Sequence, residues 1–138
     1  MQLNLTTDYA LRCLLVLNGQ KNGVSSKDIS TNIGIEREFT LKVLRQLREA
    51  GFVESIKGKA GGYKLARPLS KIALLDVLNV MEDTMYINRC VEPDHYCSRN
   101  GVELNCPAHH FYEAFQAKLE DVLSSITLQD ILDDSFKL

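Results

Sequence analysis

Apolar positions in the first third of the chain recur at helical spacing, then switch to alternation, then return to helical spacing. Residues 7–17 put Tyr9, Ala10, Leu14 and Leu17 on one face. Thr6 or Thr7 stands where an N-cap is needed, and Asp8 falls in the first turn, where the helix dipole favours negative charge. Arg12 follows Asp8 by four residues and can pair with it. After a turn at 19–23, the run SSKDISTNI predicts a short helix with Ser25 or Ser26 as cap and Asp28 completing a box-like start. Gly34 ends it, and a third helix is predicted over 36–50, stopping at Gly51. Residues 52–56 alternate as a strand, 58–62 form a cationic, glycine-rich loop, and 63–66 return, which is a hairpin. Two short helices joined by a tight turn, then a hairpin, make a winged helix-turn-helix. A fourth helix is predicted over 72–81, after the breaker Pro68 and with Ser70 as cap.

The pattern breaks after Glu82. Residues 83–105 show no helical period and hold Pro93 and Gly101 with Cys90 and Cys97. A loop of this length in a small domain calls for something to organise it. Pro107 suits the first turn of a long helix, whose apolar positions Ala108, Phe111, Tyr112, Phe115, Leu119, Val122, Leu123 and Ile126 keep the i, i+3, i+4, i+7 spacing. That stripe is more apolar than so small a domain covers alone. A short helix at 128–132 follows. The fold class expected is mainly α with a small β-hairpin wing. Its parts are a winged helix-turn-helix at 1–67, a connecting helix at 68–82, a cysteine-containing sensor loop at 83–106, and a long helix with a short terminal helix at 107–138.

Composition narrows the class. The chain has 138 residues, 45% hydrophobic and 25% charged, which is enough for one core. Its longest apolar run, 13–17, is far shorter than the ~20 residues of a membrane span, and its start lacks an export-type cationic leader. A cytoplasmic location is expected, where four cysteines are ligands, sensors or core residues sooner than disulfides. The net charge of −2 conceals a division. Residues 1–67 carry eleven Lys and Arg against six Asp and Glu, a balance of +5, and the remainder carries −7. A basic half suggests a polyanion-binding module, although clustering on solvated faces would look the same.

In a winged helix the second helix of the motif enters the major groove. Its residues off the core-facing stripe of Val43, Leu44 and Leu47 are Arg37, Glu38, Leu41, Lys42 and Arg45. Arg37 or Arg45 can take guanine in bidentate fashion, Glu38 can accept from cytosine, and Leu41 can touch a thymine methyl. Ser26 and Lys27 begin the preceding helix. In the wing, Lys57 and Lys59 stand beside Gly58, Gly61 and Gly62, where backbone amides can approach phosphates or Lys57 can enter a minor groove. Taken singly, these are the features of any solvated helix and tight turn. In this order they point to double-stranded DNA.

The cysteines are spaced Cys90-x6-Cys97-x8-Cys106, with His109 three residues on. Three thiolates and an imidazole can complete a zinc site or hold an iron–sulfur cluster. The spacing lacks the C-x2-C knuckles of zinc ribbons and suits a larger object wrapped by an irregular loop. Three free thiols acting as sensors, or inert, are the alternative. His95 and His110 are weaker candidates, and Cys13, among Leu11, Leu14 and Leu15, reads as a small buried apolar residue. With no C-x-x-C and no nucleotide-binding glycine motif, nothing points to an enzyme.

The start TTDYALRCLLVL, the run LRQLREAGFVESIKGKAGGYKLA, the loop C-x6-C-x8-C-PAH and the ending VLSSITLQDIL resemble the Rrf-type family of bacterial winged-helix regulators. The resemblance covers nearly the whole chain. It implies a homodimer joined by the helix at about 107–125, reading a roughly two-fold operator. It maps the family's cluster cysteines onto Cys90, Cys97 and Cys106. IscR-like members take their fourth ligand from a His three residues past the last cysteine, which His109 matches. NsrR-like members take it from an Asp in the partner's first helix, which Asp8 matches. His109 is favoured, and with it a 2Fe-2S over a 4Fe-4S cluster. The function implied is a transcription regulator, expected to repress, whose operator affinity depends on the cluster. CymR-like members supply the alternative: a cluster-free regulator controlled by a protein partner or by thiol oxidation. Three departures stand out. Glu36 and Glu38 occupy positions that are commonly small and polar, Lys57 replaces the usual wing Arg, and both cysteine spacings are longer than in the IscR pattern.

Overall fold

The computed structural model describes residues 2–59, 61–94, 96–99 and 105–138. Helices α1 (Leu5–Val16), α2 (Ser26–Ile33) and α3 (Arg37–Glu49) precede an antiparallel hairpin of β1 (Val53–Ile56) and β2 (Gly62–Leu65). A 3-10 turn at Leu69–Lys71 leads into α4 (Leu74–Met81), and a second, Arg89–Val91, lies in the cysteine segment. Helices α5 (Pro107–Ser125) and α6 (Leu128–Leu132) follow. Mainly helical, with one two-stranded wing, this is the expected fold class.

Local chemistry sets the element ends. Ser25 caps α2: its hydroxyl accepts from the Asp28 N–H at 3.1 Å and donates to the Asp28 carboxylate at 2.6 Å. Gly34 closes α2 in the left-handed region at φ 72°, which turns the chain toward α3 without a Cβ clash. Asp8 and Arg12 pair at 2.7 Å along α1. Two starts differ from expectation. Helix α1 begins at Leu5, and neither Thr6 nor Thr7 caps it. Asn4 holds the cap position, and the Glu82 carboxylate accepts from the Asn4 N–H at 2.8 Å, the Asn4 Nδ2 at 2.9 Å and the Thr7 hydroxyl. A carboxylate from across the fold thus answers the exposed donors of this N-terminus. Helix α4 begins at Leu74, and Ser70 is not its cap, because residues 72–74 are paired elsewhere. Leu74 N–H donates to Ile126 O at 2.8 Å and Leu128 N–H to Ile72 O at 2.9 Å, while the Asp76 carboxylate accepts from Ala73 N–H.

One apolar core joins these parts. Leu14 of α1 and Leu17 just after it, Ile29 of α2, Leu44 and Leu47 of α3, Phe52, Leu69, Ile72, Val77 of α4 and Leu128 of α6 are all sealed from solvent. Each such side chain contributes roughly 1.5–3 kcal/mol on burial. The wing is seated by a bridge in which Val24 and Tyr63 exchange both backbone hydrogen bonds at 2.8 Å. A Cβ on Gly62 would lie 2.4 Å from Val24 O, so only glycine fits there. Across the hairpin, Glu54 faces Lys64 and pairs with it at 3.4 Å.

Helix α5 is different. It packs on α4 and on the Arg89–Val91 turn, but His109 and Gln116 are its only buried residues. Phe111 and Phe115 stack on one another, ring centroids 5.8 Å apart, and are 60% and 42% exposed. Among the described residues, no helix is long and apolar enough to cross a membrane.

Candidate nucleic-acid interface and metal centre

Helix α3 buries Thr40, Val43, Leu44 and Leu47, which turns Arg37, Glu38, Leu41, Lys42 and Arg45 outward together. Lys27 on α2 and Lys57, Gly58 and Lys59 at the wing tip are exposed as well. Among the described residues, no ion pair engages Lys27, Arg37, Lys42, Arg45, Lys57 or Lys59. Unneutralised cations on a groove-sized helix and on a projecting hairpin are what a polyphosphate backbone selects.

Three of the candidates sit in structural roles. Ser26 is buried, and its hydroxyl accepts from Arg37 Nε at 3.0 Å. It therefore aims the Arg37 guanidinium from behind while leaving both terminal nitrogens available. Gly61 donates to Gly58 O at 3.0 Å, closing the wing loop, and Gly62 admits the Val24 carbonyl. Ala60, at the tip, lies outside the described residues.

In the cysteine segment, Cys90, Cys97 and Cys106 are free and half-buried. Cys90 lies in the Arg89–Val91 turn, which Asn88 caps by accepting from Cys90 N–H at 3.1 Å. Cys106 is the N-cap residue of α5, which puts His109 in the first turn of that helix. Between Cys90 and Cys97, Arg89 forms a clasp: it pairs with Glu92 and Asp94 and lies 5.7 Å from the Tyr96 ring centroid. Hydrogen bonds from Arg89 hold the Asp94 carboxyl below the usual carboxylate range. His95 and residues 100–104, also part of the expected sensor loop, lie outside the described residues.

His109 is 9% exposed, and among the described residues its buried Nδ1 has no hydrogen-bond partner. Nε2 lies 3.3 Å from Glu113 Oε1. A carboxylate there favours the proton on Nε2 and leaves the Nδ1 lone pair free, the second-shell arrangement of a metal-ligating histidine. Three soft thiols and this imidazole are a donor set that fits an iron–sulfur cluster. Among the described residues, however, no three His, Cys, Asp or Glu side chains are gathered closely enough to hold a metal ion. Asp8 is engaged by Arg12, and His110 is exposed. Cys13 is sealed in the core, where burial pushes its thiol up to about 12.

One residue of this region carries no signal in the sequence. Gln116, 6% exposed, accepts from Ile87 N–H at 3.0 Å and donates to Met85 O at 3.2 Å and to Glu120 at 2.7 Å. A glutamine inside an apolar stripe looks like an interruption of it, and only the fold shows the backbone it serves.

Comparison with known proteins agrees with this geometry. The Rrf2 family model, described as iron-dependent transcriptional regulator, matches residues 3–134. Protein aau3 of Rhizobium meliloti (strain 1021) is 36% identical over 109 residues, which is 78% of this chain and 65% of aau3, so the chain spans just under two thirds of that relative. A protein of Aquifex aeolicus (strain VF5), named for the HTH-type transcriptional regulators, is 31% identical over 93% of this chain and 89% of its own length. Among solved structures, T. potens IscR superposes with a TM-score of 0.73 at 26% identity, covering 98% of this chain and 88% of that one. CymR, the global cysteine regulator of B. subtilis, gives 0.74 at 22% identity over 97% and 98%, a likeness of fold. With a family match across nearly its whole length and a winged helix whose reading face is open, the chain belongs to the Rrf2 family of transcriptional regulators.

Proposed function

We propose that this regulator is a homodimeric repressor whose affinity for a roughly two-fold operator is set by an iron–sulfur cluster at Cys90, Cys97, Cys106 and His109. The observation that carries the cluster is the buried Nδ1 of His109, three residues beyond Cys106 and without a partner among the described residues. Leaving such a nitrogen unpaired costs about 1–3 kcal/mol, which a ligand bond would offset. When bound, the cluster supplies an iron- and redox-responsive tie among three loop positions and the start of α5. The protein's own groups do the rest. Arg37, Glu38, Leu41, Lys42 and Arg45 read base edges, and Lys27, Lys57 and Lys59 hold phosphates. The exposed Phe111–Phe115 face of α5 meets its copy in a partner, which sets the spacing of two α3 helices across the duplex. The state of the loop shifts operator affinity only by its unequal compatibility with the two arrangements of those heads.

The test is the visible spectrum of protein purified without oxygen, with iron and sulfide counted per chain. Broad charge-transfer bands with acid-labile sulfide are expected. Two irons favour His109 as fourth ligand, and four irons favour Asp8 of a second subunit. Colourless protein that takes up no iron on reconstitution overturns the cluster. The second reading, a cluster-free regulator governed by a protein partner or by thiol oxidation, is favoured by the ungathered donors among the described residues. That outcome would establish it.

A further inference from the structure

Two polar knots bracket the short segment between α4 and the first loop cysteine. At one end the Glu82 carboxylate receives the Asn4 N–H, the Asn4 Nδ2 and the Thr7 hydroxyl, and so holds the first turn of α1. At the other, Gln116 of α5 takes the Ile87 N–H and donates to Met85 O. Only two residues, Asp83 and Thr84, lie between Glu82 and Met85, a reach of at most about 11 Å when extended. Inside the segment, Thr84 Oγ1 accepts from Tyr86 N–H at 3.2 Å, which shortens it further. Past it, Asn88 caps the turn that contains Cys90.

We infer that residues 82–87 are a taut link and that Gln116 is the positioning residue through which the cysteine loop sets the placement of α1, and with it the reading head. This rests on the sensor-loop reading above and names its regulation. The physical case is the shortness of the segment and the hydrogen bonds that pin both its ends and its middle. A displacement beginning at Cys90 meets Ile87 and Met85 fixed to a buried amide on the long helix, and then Glu82 fixed to the end of the helix that backs α3. Gln116 has both polar ends used and lies inside, where each unmade hydrogen bond is costly. Movement of the loop relative to α5 must therefore break this pair of bonds or carry α1 along.

The experiment compares wild type with Gln116→Leu, which keeps the shape and removes both bonds. Amide exchange is read by NMR at Ile87 and at Asn4, at opposite ends of the link. Operator affinity is read for anaerobically purified and metal-stripped protein. In the variant, exchange is expected to accelerate roughly two- to tenfold at Asn4 as well as at Ile87, the worth of one hydrogen bond. Iron content per chain is expected to stay at the wild-type value. The change in operator affinity between the two states, roughly 5- to 150-fold for an allosteric pair, is expected to collapse toward unity. Acceleration at Ile87 with Asn4 unchanged overturns the link and reduces Gln116 to a local brace. If Gln116→Leu does not fold, Glu82→Gln tests the link from its other end: accelerated exchange at Ile87 supports it, and unchanged exchange overturns it. A wild type with equal affinity in both states overturns cluster control and not the link, which Asn4 exchange decides by itself.

Discussion

The reading head and the cysteine segment are held together in opposite ways. The head buries a continuous apolar core from α1, α2, α3, α4 and α6, and its few buried polar side chains, Ser26 and Thr40 among them, are hydrogen-bonded close by. The segment from 83 to 106 contains the short Arg89–Val91 turn. It is held by side-chain hydrogen bonds and by the Arg89 clasp at the surface. Exposed ion pairs of that kind contribute little to stability. The difference teaches where stability and adaptability reside: a core resists change, and a loop held by polar contacts yields more readily.

The sharpest break of that comparison is Cys97→Ala. It should abolish visible colour and bound iron while leaving the urea midpoint of the metal-free protein unchanged. Normal colour in the variant would remove Cys97 from the ligand set. Next in size, Leu44→Ala should cost about 2–5 kcal/mol in urea unfolding, since Leu44 is fully enclosed in the core. Its iron content per folded chain should match wild type, and a parallel loss of iron would show the two regions to be one unit.

Ser26→Ala is expected to weaken operator binding only two- to tenfold, the worth of roughly one hydrogen bond aiming Arg37. The check is fluorescence anisotropy at fixed salt, with a near-unchanged urea midpoint as control. Smallest is the contrast in thiol reactivity. Burial raises the Cys13 thiol from 9.0 to about 12, so at pH 8 an alkylating reagent should label the metal-free loop cysteines and spare Cys13. The sign for stability follows. The unfolded thiol ionises above pH 9 while the folded one holds its proton, so this contribution is full below pH 9 and falls as pH rises toward 12.

Much of the head was legible because helical and alternating periods report directly which face is buried. The Ser25 cap, the Asp8–Arg12 pair and the outward set on α3 all lie at local spacings. The starts of α1 and α4 were misplaced because their end groups are met from far away, by Glu82 for α1 and by residues 126–128 for α4. Gln116 was passed over for a related reason: its partners are 29 and 31 residues away in sequence. The wing glycines are visible as a motif, but Gly62 makes room for Val24 O, a contact between β2 and the segment before α2.

By itself, then, the sequence determined the element order, the winged helix-turn-helix, the charged face and the cysteine spacing, since each follows from short-range periodicity and side-chain type. Tertiary structure alone decided that Ser26 stands behind Arg37, that α6 closes the core of the head through Leu128, and that His109 is buried with one nitrogen unanswered among the described residues. Those outcomes depend on which distant groups meet in a water-poor interior. There an unpaired polar atom is costly and a paired one is fixed in place, and no local pattern encodes that pairing.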